Sequence, residues 1–531
     1  MEETKQEVYF TDNLEKKLKK GINTLADAVK STMGPKGKLV LIQNPGFHPI
    51  VTKDGVTVAN SINLVDEVEN LGVKVIREAA SRTADEAGDG TTTSTVLAQA
   101  IYNEGLRMKA AGYQIDKLKI GIEKALADAK DYLEKSKKEI TNPEELKQVA
   151  LISANGEEEI AELIVNAIKE SGVDGSVIVE QAKGFKSNLT VVDGYNINRG
   201  YLSPYFVSDK NKMVCEFNKP LILIADREFN SIHEVMKPLE IALEKGRPIL
   251  VIANEIEGDA LQGIVLNKIK GSLRVCAIKS PGFNASRHDM LVDMSALIGG
   301  TVITNSFDMN TFTENDFATC DKVIISRTST LFVSKENKDK KSVHERIESI
   351  KEKLTERYSL QDAEIEVLKY RLQQLSGKIS ILRVGAATES ELIERYDRVD
   401  DALNATKAAL AEGILPGGGI ALVKCKNVLD EKMEKIKDSG EKAGYEIITR
   451  ATIAPFKQII KNGNGSHDSL LEKILSLSEE HGYDARNKKI GNMYELGILD
   501  PYKVVRCALE NAVSCATMLL NVECCLINLN Q

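Results

Sequence analysis

The stretch Gly88-Asp89-Gly90-Thr91-Thr92-Thr93 is the part of this sequence best suited to chemistry. Its glycines let a backbone close on a ligand, and three hydroxyls follow an acid. Val96, Leu97, Ala100 and Ile101 come next at helical spacing, so a helix starts here. A helix N-terminus offers free N–H groups and the positive end of the helix dipole, which suits phosphate. Asp89 in such a loop could hold Mg²⁺ against phosphate oxygens. The same residues also read as a helix cap with a glycine turn, and the local sequence leaves both readings open.

Three more glycine turns stand nearby or far along the chain. Thr32-Met33-Gly34-Pro35-Lys36-Gly37 follows a helical pattern, and Val51-Thr52-Lys53-Asp54-Gly55 follows soon after. Each alone is an ordinary turn. Gly417-Gly418-Gly419 is costly in chain entropy, so it implies tight packing or a close backbone approach to a ligand. Other chemistries lack their signatures. There is no GxxxxGK[ST], no HExxH, and no third glycine completing a dinucleotide fingerprint after Gly90. Six scattered histidines give a His-based triad little support. Eight cysteines contain no CxxC pair, so zinc has no foothold and buried reduced thiols are expected.

The elements that must position these turns fall into a clear order. To about residue 135 the chain reads as helical, with Leu14, Leu18, Ile22, Leu25 and Val29 on one face and a stop at Met33-Gly34-Pro35. Lys38–Gln43 reads as a short strand and Lys117–Leu133 as helix. Strand-like runs then appear at Ser176–Glu180, Leu221–Ala225, Ile249–Ala253, Arg274–Ile278, Thr301–Thr304 and Lys322–Ser326, several separated by helical patterns. Residues 340–376 form a helical hairpin with Ser359-Leu360-Gln361-Asp362 as a cap. From about 405 the chain is helical again, and Ala512–Leu529 reads as a buried helix. An α/β domain inserted into a helical one is implied.

Composition narrows the function classes. The 531 residues suggest several domains. Lys and Arg total 70 against 78 Asp and Glu, a formal charge of −8, which argues against a nucleic-acid or anionic-membrane binder. No apolar run reaches bilayer length and no leader segment is evident, so a cytoplasmic location is expected.

Together the motifs are highly specific. Val29–Lys38, Thr52–Val56, Ala87–Thr93, Ile152–Asn155, Arg199–Phe206, Val384–Glu389, Asp400–Thr406, Gly417–Gly419 and Gly497–Pro501 occur in the order found in group I chaperonins. The chain resembles the bacterial GroEL-like family over essentially its whole length. That resemblance implies a multidomain α and α/β chaperonin fold. A helical equatorial ATPase domain would span 1–135 and 412–531, a small intermediate hinge domain 136–192 and 378–411, and an inserted α/β apical domain 193–377. Gly194, Gly377 and Gly413 would serve as hinges.

The resemblance also implies roles, with ATP, Mg²⁺ and K⁺ as cofactors. Asp89 would hold Mg²⁺, and Gly90, Thr91, Thr92 and Thr93 would cradle phosphates. Thr32, Met33, Gly34 and Pro35 would wrap the nucleotide, and backbone oxygens of Thr32 and Lys53 would place K⁺. Asp54 would sit near the γ-phosphate, and Asp401 would orient the attacking water. Gly418 and Asp500 would meet the ribose, and Asp484, Ala485 and Arg486 the base. Tyr201, Tyr205, Phe206, Met236, Leu239, Leu261, Val265 and Leu266 would bind unfolded clients or a co-chaperonin lid. Read without the family, Ile232–Leu243 and Ile256–Ile269 are amphipathic helices whose apolar faces belong to a core. The family assembles as a homo-oligomeric ring, with seven subunits and a paired ring implied here. A chaperonin-like scaffold without a productive ATPase cycle is the alternative.

Departures from the family pattern are specific. Pro416 stands where Ala is usual, Asp484-Ala485-Arg486 where Asn-Ala-Ala is usual, Gly377-Lys378 where two glycines are usual, and Glu139 where Pro is common. Lys237 puts a charge on a client-binding helix. A Gly-Gly-Met tail is absent before Gln531, so effects of such a tail are expected to be absent.

Overall fold

The computed structural model describes residues 6–43, 49–171, 176–182, 184–209, 213–282, 285–334, 340–355, 362–375 and 378–528. The chain forms two compact units. One comprises 1–166, 179–188 and 383–531, and the other 167–178 and 189–382.

The first unit is mainly helical. Helices Thr11–Val29, Glu67–Ala87, Thr91–Ala110, Ile115–Ser136, Ser439–Ala451 and Tyr502–Leu520 enclose one apolar core. The Leu14, Leu18, Ile22, Leu25 and Val29 stripe is buried in it. Carboxylates start several of these helices. Asp66 accepts from the Val68 and Glu69 N–H groups, and Asp438 from those of Gly440 and Glu441. Such a cap contributes about 1 kcal/mol.

The chain's end departs from the expected buried helix. The last helix stops at Leu520, and Cys524–Asn528 pairs antiparallel with Gln6–Phe10, Leu526 opposite Val8. The reason is a change of period: Cys525 and Ile527 turn inward while Cys524 and Leu526 are exposed. Cys524 is thus an exposed free thiol, and Cys525 is half-buried; the other six cysteines are buried and free.

The second unit is built on sheets. Val275–Lys279, Ile249–Ala253, Leu221–Asp226 and Val302–Thr304 form a parallel sheet in that order, and Ala318–Thr319 adds antiparallel to the Leu221 strand. The strands Leu221–Asp226, Ile249–Ala253 and Val275–Lys279 are buried almost throughout, which accounts for their unbroken apolar runs. Helices Ile232–Glu244, Gly258–Ile269 and Ala285–Ile298 belong to the same core. Asn188–Ile197, Thr330–Ser334, Lys322–Ile325 and Cys215–Asn218 form a second, antiparallel ladder. The hairpin helices are Lys340–Thr355 and Asp362–Leu375, and Val343, Ile350, Leu368 and Leu375 join the core. The expected cap at Ser359-Leu360-Gln361 lies outside the described residues, as does Gly377. Among the described residues no helix is long and apolar enough to cross a membrane.

Candidate functional site

The helix Glu67–Ala87 ends on Gly88, whose φ of +74° closes it, and the helix Thr91–Ala110 begins after Gly90 at φ +89°. Both conformations favour glycine. Asp89 is held between them, its carboxylate accepting from the Gly90 N–H. Close packing forbids larger residues: a Cβ at Gly88 would meet Asn404 at 2.3 Å, and one at Gly90 would meet Val504 at 2.6 Å. No side chain caps the Thr91 helix, and Thr92 and Thr93 are half-buried. Its first-turn amides therefore remain suited to an anion.

Two turns converge on this loop. The strand Ile50–Thr52 delivers Lys53 and Asp54, and Asp54 caps the helix Gly55–Ser61 through the Val56 and Thr57 N–H groups. Gly55 lets this turn approach: a Cβ there would lie 2.4 Å from Thr92 Oγ1 and 3.0 Å from Thr91 Oγ1. On the other turn, Lys30–Thr32 is a 3₁₀ turn and Gly34 has φ +80°. Asn462 Nδ2 donates to the carbonyls of Lys30 and Met33, both at 2.9 Å. Asn462 thus fixes the Thr32–Pro35 turn from the end of the helix Ala454–Asn462. Sequence reasoning missed it, because nothing local links residues so far apart.

Asp401 lies on the helix Glu389–Glu412. Burial, Asp89, Asp54 and the neighbouring Asp400 and Asp397 hold its carboxyl well above the usual range. Burial and Asp54 likewise raise Asp89, opposed by the Gly90 N–H. Three carboxylates from separate segments therefore share one small region. Asp500 joins from Leu499–Pro501, which pairs with Ile414–Pro416. Its carboxylate accepts from the Gly418 and Gly419 N–H groups, yet burial and Asp89 push it up to about 7. Tight packing accounts for two of the three glycines, since a Cβ at Gly417 would meet Asp500 at 2.9 Å and one at Gly419 would meet Phe456 at 3.1 Å, whereas Gly418 has room for a Cβ and is set by its φ of +68°. Pro416 is accommodated buried at the end of its strand.

The base-side residues divide. Ala485 is buried with Met33, Val96 and Ile459 in one apolar cluster, which fits the face of a planar ring. Asp484 is 5% exposed and is spent on its own hairpin, accepting from the Arg486 and Asn487 N–H groups and from Asn487 Nδ2. Arg486 donates to the Asn155 carbonyl at 2.8 Å. Arg486 itself is exposed.

The arrangement has a chemical consequence. Among the described residues no three His, Cys, Asp or Glu side chains form a metal site by themselves. Carboxylates that raise one another's pKa beside free helix amides fit a cation shared with phosphate oxygens, since Mg²⁺ commonly takes one or two carboxylates and completes its shell with phosphate and water.

The sequence profile of the TCP-1/cpn60 chaperonin family matches residues 25–528. The chain belongs to that family. Its whole length also resembles a solved chaperonin, gp146 from the bacteriophage EL 2 (Pseudomonas aeruginosa), crystallised in presence of ATP-BeFx. Crystal form II superposes with a TM-score of 0.70 and crystal form I with 0.62, each at 25% identity over 99% of both chains. At that identity this chaperonin is a divergent member.

The residues singled out in the second unit are partly surface and partly core. Tyr205, Met236 and Leu266 are exposed, and Tyr201, Leu261 and Val265 are half-buried against the core. Phe206 is fully buried and Leu239 is 8% exposed, so both belong to the core and correct the expectation of a surface role. Leu239 faces inward because it follows Val235 by one helical turn. Met213, Leu243 and Ile269 are exposed apolar side chains that the sequence reading passed over. Lys237 is exposed beside Met236.

Of the expected hinge glycines, Gly194 and Gly413 lie among the described residues. Gly194 sits within a strand opposite Val333, where a Cβ would strike Ile379 at 1.7 Å, so packing accounts for it. Gly413 ends the Asp401 helix at φ +91°, directly before the paired backbone groups of Ile414 and Lys138.

Proposed function

We propose that this chaperonin hydrolyses ATP to drive the folding of other proteins. The convergence of Asp54, Asp89 and Asp401 on the Gly90–Thr93 helix start carries this reading. Gly90 and the Thr91, Thr92 and Thr93 amides and hydroxyls cradle the phosphates, while Thr32–Pro35 and Ala485 border the nucleoside. Asp500, held by the glycine turn, takes the ribose hydroxyls. Asp401 positions the water for in-line attack, and its raised affinity for a proton suits it to accept one. Mg²⁺ on Asp89 would neutralise charge developing on the phosphates, and K⁺ on the Thr32 and Lys53 carbonyls would add to this. Tyr205, Met236 and Leu266 form part of an exposed apolar surface for unfolded clients. The working particle is a homo-oligomeric ring in the cytoplasm, with seven subunits per ring and two rings stacked in the group I pattern, and a lid protein as a further partner.

The test is phosphate release from ATP beside refolding of an aggregation-prone client, with and without a lid protein, for wild type and Asp401→Ala. Hydrolysis and refolding by wild type alone are expected. Client capture without hydrolysis or release would instead make the protein an interaction scaffold.

A further inference from the structure

Arg486 stands where the family pattern has a small residue, and its side chain bonds to the backbone of another segment. The Asp484 carboxylate locks the hairpin turn by accepting from the Arg486 and Asn487 N–H groups at 2.9 and 3.0 Å. From that turn the guanidinium reaches the Asn155 carbonyl at 2.8 Å, with Asn155 Oδ1 at 3.4 Å. Asn155 and Gly156 have φ of +55° and +88° and terminate the helix Pro143–Ser153, the Gly156 N–H donating to Leu151 O at 2.8 Å. A Cβ at Gly156 would lie 2.3 Å from Arg486 Nη1, so the guanidinium lies directly against this turn. A helix end leaves carbonyls without partners, and a cation there is favoured.

The other side of the same turn grips the Asp401 helix. Glu157 accepts from Arg395 at 3.3 Å and also pairs with Arg398, one helical turn from Asp401. Val149 and Ala409 add an apolar contact between the two helices. A continuous path therefore runs from the hairpin beside Ala485, through Arg486 and Asn155–Glu157, to the Asp401 helix.

We infer that Arg486 is a positioning residue: its bond to the Asn155 carbonyl latches the nucleotide-side hairpin to the Asp401 helix and so holds Asp401 in reach of Asp89. This rests on the ATPase reading above. It is a role in catalysis without contact to the nucleotide, and it separates from a base contact by kinetics. A latch acts on kcat, whereas a base contact acts on affinity for ATP and ADP alike.

The experiment compares wild type, Arg486→Ala and Arg486→Lys for steady-state ATP hydrolysis, ADP affinity by calorimetry, and amide hydrogen exchange over residues 150–161. Arg486→Ala should lower kcat about three- to tenfold, the loss of one charged hydrogen bond. ADP affinity should stay within about twofold, and exchange at the turn should speed up by a similar factor to the kcat loss. Arg486→Lys, keeping one donor, should recover part of both. Weaker ADP binding with unchanged kcat would overturn the latch in favour of a base contact. Unchanged kcat and unchanged exchange would overturn it outright. If wild type hydrolyses no ATP, the ATPase reading fails by itself, and exchange still decides: an unprotected turn in wild type, or no change in Arg486→Ala, ends the latch.

Discussion

Each unit of this chaperonin holds a cluster of carboxylates, and the two are balanced in opposite ways. In the second unit Asp293 is 1% exposed and accepts from Arg371 at 2.7 and 3.2 Å and from Arg346, while Asp289 takes another Arg371 bond at 2.5 Å. The chain supplies its own cations there, and the cluster braces the helix Ala285–Ile298 against the hairpin helices. In the first unit burial raises Asp89, Asp401 and Asp500, the Asp54 charge adds to the rise at Asp89 and Asp401, and the Asp89 charge adds to it at Asp401 and Asp500. A cluster left in mutual repulsion is unfavourable for the empty protein and favourable for a cation arriving with its anion. The difference separates a brace from a binding site more sharply than burial does.

Breaking the open cluster should have the largest effect. Asp401→Ala should lower ATP turnover about a hundredfold or more, as loss of a group that handles a proton in the transition state does. ADP affinity, measured by calorimetry, should change by no more than a few-fold. Unchanged turnover would remove Asp401 from the chemistry and leave its raised pKa as a structural by-product.

Breaking the closed cluster should cost stability. Arg371→Ala strands Asp293 without its main partner and should destabilise the second unit by about 3–5 kcal/mol in denaturant unfolding. Replacing Asp293 and Arg371 together by Leu and Met should cost clearly less than the two single changes summed, since the two buried charges go together and only the more exposed Arg346 and Asp289 lose a partner. An additive result would mean that the pair is not the brace described here.

The open cluster should also show in the pH dependence of stability. For Asp500 the folded state binds its proton more tightly than the unfolded chain does, with a pKa up to about 7 against an ordinary carboxylate near 4. Its contribution is present below the unfolded value and is lost as pH rises through about 7. Metal-free protein should therefore lose stability between about pH 4 and pH 7, by at most about 1.4 kcal/mol per pH unit from this one group. Asp500→Asn should flatten that decline, read as Tm against pH. A wild-type Tm that rises over the same range would show that other groups dominate.

Much of the scaffold was legible because it is local. The Leu14–Val29 stripe and the Ile249–Ala253 run carry their periods in plain view, and both elements occur where expected. The chain's last strand was not, because Cys524–Asn528 becomes a strand only through Gln6–Phe10 at the opposite end of the sequence. The site shows the same divide. Gly88, Asp89 and Gly90 announce themselves by composition, but Asn462 is an unremarkable helix-end residue until its amide is seen on two carbonyls of the Thr32 turn. Phe206 and Leu239 went wrong for a related reason: a helical or aromatic pattern gives a face but not which part of that face the core covers.

The finest test of the comparison is Asp54, which has two duties. It caps the helix Gly55–Ser61, accepting from Val56 at 3.1 Å and Thr57 at 2.7 Å, and its charge raises both Asp89 and Asp401. Asn caps as well as Asp does, so Asp54→Asn removes the charge and keeps the cap. Asp54→Ala removes both and should cost about 1 kcal/mol more than Asp54→Asn. In metal-free protein above pH 7, Asp54→Asn relieves repulsion in the open cluster and should leave stability equal to wild type or about 0.5 kcal/mol higher, within the usual range for removing one like charge. With Mg²⁺ and nucleotide bound that advantage should vanish, because the imported cation now balances Asp89 and Asp401. The sign of the difference between the two conditions is the readout. A variant less stable than wild type in both would mean that the Asp54 charge is already balanced within the chain, and that the open cluster is less open than its carboxylates imply.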